Sequence, residues 1–180
     1  MTIDYKKLRM MYTEDEINSM CINAVAKNIS SLLKIKKLPA IEVMSMKFDA
    51  HGTYNAYYNR VRVRRDSFNV TEYICGMYLG KEEEAIKRLA KGIRTLCHEL
   101  RHTWQHEFGL YKGIKYISPD DKALIERYGE EAVFEMYEAQ PSEVDANYWA
   151  ERKGNQLISG ELTPEMILAG CFFLEEEWQM

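Results

Sequence analysis

A chain of 180 residues that is 46% hydrophobic and 29% charged has the composition of a soluble globular protein, and it is long enough to bury one sizeable core. Its formal net charge of −4 excludes a general attraction to nucleic acid or to an anionic membrane. No apolar run reaches the length of a membrane span, "MTIDYKKLRMMYTEDE" lacks a signal core, and Cys21, Cys75, Cys97 and Cys171 form no CxxC pair, which together predict one cytoplasmic domain over residues 1–180 with reduced thiols.

The first predicted element is a helix. Thr13 and Glu16 have the spacing of a capping box, and Ile17, Met20, Cys21, Ala24, Val25, Ile29, Leu32 and Leu33 recur at helical intervals. "KIKK" and Pro39 end that run. "AIEVMSMKF", short, apolar and partly β-branched, reads as a strand. The turn signal "HGT" precedes "YNAYYNRVRVRRDSF", which reads as one bent strand or a hairpin turning near Asn59. Alternation puts Arg60, Arg62 and Arg64 on one face and Val61 and Val63 on the other. The basic face fits a solvated edge strand kept from aggregating by its charges.

Residues 81–108 carry the strongest pattern. Ile86, Leu89, Ala90, Ile93, Leu96, Cys97 and Leu100 form an apolar stripe opposite a charged face, with Gly92 as a candidate break. "SPDD" offers Ser118 as cap and Pro119 as first residue of another helix, which ends at Gly129 or resumes past it through "EEAVFEMYEA". Pro141 opens "PSEVDANYWAERK", which Gly154 closes. "TPEMILAGCFFLEEEW" is a last predicted helix, capped by Thr163. A helix, a small sheet and then only helices make an α+β domain.

Inside the long helical pattern lies "HELRHTWQH", which holds every histidine but His51. Residues four apart on a helix differ by about 40° in direction and about 6 Å along the axis. His98 and His102 can therefore converge on one metal ion. Glu99 lies about 100° round from His98, beside such an ion and not bound to it, where it can take a proton from a metal-held water. His106 is about 12 Å along the axis from His98, too far to share a tetrahedral centre with it, and reads as a surface or supporting residue. A third protein ligand must be a carboxylate or His51. Glu143, at a helix start in "PSEVDANYWA", is the best candidate, since zinc sites that keep a water commonly use two histidines and a glutamate. Asp145 is its competitor, either as ligand or as acceptor for the outer N–H of a ligand histidine.

"HELRH" followed by "SEVDANYWAERK" resembles the zincin metallopeptidases whose third ligand is a downstream glutamate, the gluzincin pattern. Within them it is most similar to the ImmA/IrrE type, whose second motif E-x-[ED]-A-N-x-[FW]-A is matched by Glu143, Asp145, Ala146, Asn147, Trp149 and Ala150. Arg101 stands where that family usually has a small residue. The resemblance implies a zincin-like α+β fold with a small mixed sheet beside the motif helix. It implies one Zn2+ held by His98, His102 and Glu143, with Glu99 as general base and acid. The implied activity is hydrolysis of a peptide bond in a protein or peptide substrate, paired as an extended strand with a sheet edge at "NRVRVRR" or the tyrosine-rich stretch before it. Tyr128, Tyr137 and Tyr148 are candidates for stabilising the oxyanion. The rival expectation is a zincin-fold binding or regulatory module without useful turnover.

Overall fold

The computed structural model describes residues 10–44, 46 and 51–163. Over them the chain forms, in order, α1 (Glu14–Leu33), β1 (Ala40–Met44), β2 (Gly52–Asn55), β3 (Arg60–Arg64), α2 (Val70–Tyr78), α3 (Glu82–Glu107), α4 (Lys122–Tyr128), α5 (Glu130–Glu138) and α6 (Pro141–Ile158). This is the expected α+β class, with helices packed on a three-stranded mixed sheet. The last helix predicted from sequence, and Cys171, lie outside the described residues.

α1 starts at the expected capping box, where the Thr13 N–H donates to the Glu16 carboxylate at 2.8 Å and the Thr13 hydroxyl oxygen accepts the Glu16 N–H. It stops at Lys34, which takes a left-handed conformation with φ 58°. Ile17, Cys21, Val25, Ile29 and Leu33 face the core, whereas Leu32, predicted on the same stripe, is exposed.

In the sheet β3 lies between its neighbours, parallel to β1 and antiparallel to β2. "NRVRVRR" is thus the central strand and not an edge. Val61 and Val63 are fully buried, and the arginine face survives beside two strands because β1 brings Glu42 to within 3.1 Å of both Arg60 and Arg62. The hairpin turns near Asn59, which adopts φ 46°. "HGT" does not form the turn; Gly52 and Thr53 already belong to β2. The Arg64 N–H donates to the His51 carbonyl at 2.8 Å, which fixes the phase of the ladder. Residues 53 and 55 then point their backbone groups at β3, and Gly52 and Tyr54 turn theirs to the open edge.

α2 goes beyond the elements predicted from sequence. Val70, Thr71 and Tyr73 are strand-type side chains, but tertiary capping decides the conformation: the buried Asn18 on α1 accepts the N–H groups of Val70 and Thr71, and Asn69 accepts that of Glu72.

α3 runs without a break through Gly92. A Cβ at Gly92 would meet Phe68 Cδ2 at 2.8 Å and the Ser67 carbonyl oxygen at 2.9 Å, so glycine serves close approach here and not interruption. Leu89, Ala90, Ile93, Leu96, Cys97 and Leu100 are buried as expected and form the centre of the core. α4 begins at Asp121, not Ser118, because the Asp121 carboxylate accepts the N–H groups of Ala123 and Leu124. Gly129, at φ 86°, separates α4 from α5. α6 starts at Pro141 as predicted but passes through Gly154 to Ile158. Among the described residues no helix is long and apolar enough to cross a membrane.

Candidate metal centre

α3 packs more extensively against α6 than against any other element. The pairing sets the first turn of α6 across the C-terminal half of α3. His98 and His102, one turn apart, present their Nε2 atoms 3.0 Å from each other. The Glu143 Oε2 atom lies 3.2 Å from the first and 3.4 Å from the second. Three ligand atoms on bonds of about 2.0–2.1 Å to a tetrahedral ion stand about 3.4 Å apart, so the three separations fit one small cation. Among the described residues His98, His102 and Glu143 are the group able to hold a metal ion.

Glu143 is only 3% exposed. Burial would raise its pKa, but hydrogen bonds to His102 and His98 outweigh burial and hold the carboxyl at about 2. Burial opposes the charged form of His102, and the contacts with Glu143 and Glu99 overcome this and raise its pKa.

Glu99 is also buried, and burial raises its pKa, with His98 and His102 pulling the other way and Glu143 adding to the rise. Its side chain lies against β2. A Cβ on Gly52 would stand 2.8 Å from both its Cγ and its Oε1. Gly52 pairs with the buried Val63, so it belongs to the inner face of the sheet, and its missing side chain leaves the room that Glu99 fills.

Asp145 is not in the metal-holding group. Its oxygens accept a two-point contact from Arg101, at 2.8 and 3.1 Å, and a further hydrogen bond from Gln105 Nε2 at 2.8 Å. Gln105 Oε1 in turn lies 2.9 Å from His102 Nδ1. Arg101 also stacks on Trp104, with its guanidinium carbon 3.7 Å from the ring centroid. His51 bonds to Ser67 at 2.7 Å and does not join the group. His106 lies edge-on to Tyr54, 6.2 Å between ring centroids.

Glu99, His102 and Glu143 open onto a cleft of about 440 Å³. Gly52, Thr53 and Tyr54 form one wall, His106 lines it further along α3, and Leu110, Ile114 and Tyr116 come from the segment after α3. Of the three tyrosines expected near the chemistry, Tyr137 lines the cleft together with Glu143, while Tyr128 and Tyr148 are exposed and do not line it. Burial raises the Tyr137 pKa, furthered by Glu143, and raises Tyr116 to about 12.

Gly52, Gln105 and Tyr116 are site residues that sequence reasoning did not single out. Gln105 follows His102 by three positions and so shares its helix face, a signal open to sequence inspection. Gly52 and Tyr116 arrive only through tertiary packing. Comparison with protein-family models, curated proteins and solved structures finds nothing that matches this chain.

Proposed function

We propose that this protein is a zinc-dependent peptidase, and that it acts on an extended segment of a protein or peptide substrate. One observation carries the reading. Three candidate ligands converge where a closed structural site would use four, and a buried carboxylate that is not one of them lines the same cleft as His102 and Glu143. Zinc fits the donor set, and when bound it supplies Lewis acidity and brings the pKa of a water towards about 7.

The chain's own residues supply the rest. Glu99, kept apart from the ligands by its angular position on α3, takes a proton from the attacking water and delivers it to the leaving amine. Tyr137, whose hydroxyl burial holds protonated, offers a hydrogen-bond donor in the same cleft. The N–H and C=O groups of Gly52 and Tyr54, turned away from β3 and unpaired among the described residues, offer an edge along which a peptide backbone can pair. This assigns recognition to β2, at the start of the tyrosine-rich stretch, in place of "NRVRVRR".

The rival reading, a metal-holding module without turnover, has no use for Glu99. The test is elemental analysis of tag-free protein together with digestion of a peptide library read by mass spectrometry, for wild type and for Glu99→Gln. The expected result is about one zinc per chain in both proteins, with cleavage only in the wild type. Zinc in both with no cleavage in either would favour the binding module. No metal after zinc is supplied would overturn both readings.

A further inference from the structure

Gln105 is 4% exposed, and its amide group can be oriented without ambiguity. One end of the amide faces two acceptors, the Ser142 carbonyl at 2.9 Å and the Asp145 carboxylate at 2.8 Å. That end must be the NH2 group, since an oxygen there would meet two oxygens. The other end, Oε1, then faces His102 Nδ1 at 2.9 Å. An amide oxygen only accepts, so Nδ1 carries the proton and the Nε2 lone pair is left for the group formed with His98 and Glu143. Asp145 is in turn oriented by Arg101, which holds both of its oxygens and is itself stacked on Trp104.

We propose that Gln105 is a positioning residue for the metal centre: anchored by Ser142 and by Asp145 with its Arg101 partner, it fixes the tautomer and ring direction of His102. The acceptor behind this ligand is therefore a neutral amide, and the carboxylate is set one link further out with an arginine balancing it. A neutral acceptor draws the Nδ1 proton less strongly than a carboxylate does, so the imidazole is a less electron-rich donor. The metal is then held less tightly and keeps more of its charge for the substrate. The proposal rests on the reading of His98, His102 and Glu143 as ligands, but the tautomer it assigns is a property of the metal-free chain as well.

Two measurements test it. Metal-free protein labelled with 15N-histidine, under alkaline conditions where the imidazoles are neutral, should show His102 with its proton on Nδ1; a proton on Nε2 overturns the proposal whether or not zinc binds. Zinc titration against a chelating dye should show affinity about 10- to 100-fold weaker in Gln105→Met, which keeps the length and loses the acceptor. Unchanged affinity in Gln105→Met would overturn the proposal. Wild-type protein that takes no zinc but shows the Nδ1–H tautomer would sink the peptidase reading and leave the relay standing.

Discussion

Gly52 on the sheet edge and Glu99 on the long helix occupy one space: the position of a Cβ on the first lies 2.8 Å from Cγ and Oε1 of the second. Glu99, the proposed proton carrier, is thus placed by a missing side chain on another element. Gly52→Ala should push the carboxylate out of line while leaving His98, His102 and Glu143 untouched. The expected outcome is full zinc content with kcat about 10²-fold lower. Zinc content by elemental analysis beside steady-state kinetics checks it, and loss of metal would show that the glycine supports the fold instead.

The second close approach concerns stability alone. Replacing Gly92 in mid-helix with alanine gains about 1 kcal/mol of helix propensity. The added methyl would press on the backbone carbonyl of Ser67 and on Phe68, both within 3 Å, where backbone cannot step aside. Overpacking of this kind costs about 1–3 kcal/mol, so the packing term wins. Urea denaturation of Gly92→Ala should show a lowered midpoint; a raised one would mean that the segment before α2 yields easily.

Tyr137 lines the cleft together with Glu143, and burial holds its hydroxyl protonated. Tyr137→Phe should retain zinc, since no ligand atom is lost, and should lower kcat about 10²-fold with little change in KM. The exposed Tyr148→Phe is the matched control and should behave as wild type. Equal activity in all three proteins would remove tyrosine from the mechanism.

Without metal, Glu143 and His102 form a buried ion pair, and its pH window follows from the two shifts. The Glu143 pKa is depressed from 4.5 to about 2, so its contribution is present above 4.5 and is lost as pH falls towards 2. The His102 pKa is raised above 6.5, so its contribution is present below 6.5 and is lost as pH rises through the raised value. In chelator-treated samples the Tm difference between wild type and Glu143→Gln should be widest between 4.5 and 6.5 and narrow on both sides. Added zinc, which needs His102 unprotonated, should stabilise the wild type increasingly as pH climbs. A Tm difference that keeps widening above the His102 value would contradict the pairing.

Local signals in the sequence were enough to find α1, α3, the start of α6 and the hairpin near Asn59, because caps, a helical apolar stripe and proline act within a turn or two of themselves. The convergence of His98, His102 and Glu143 was also legible, since one helix carries two of the three and the chemistry of the donor set asks for a carboxylate. What failed depends on distant partners. Gly92 and Gly154 read as helix punctuation because their crowding comes from Phe68 and Arg94, which no local window contains. The arginines of β3 read as an edge because Glu42, which balances them, belongs to another strand. α2 stayed hidden because Val70, Thr71 and Tyr73 favour a strand, and the local cap Asn69 is reinforced by Asn18, which lies on α1.

The two helices that carry the candidate ligands pack directly on each other, and the chain between them, residues 108–140, leaves the His98, His102 and Glu143 group and comes back. That excursion is pinned at its return by the buried Gln140, which exchanges hydrogen bonds with both backbone groups of Ile117. It supplies Leu110, Ile114, Tyr116 and Tyr137 to the cleft but no ligand. The cleft is therefore lined both by the helices that carry the candidate ligands and by a length of chain that carries none. Under the proposed function, a change along this excursion would alter what the cleft admits without removing a candidate ligand, and Tyr137 is the point at which such a change would also reach the chemistry.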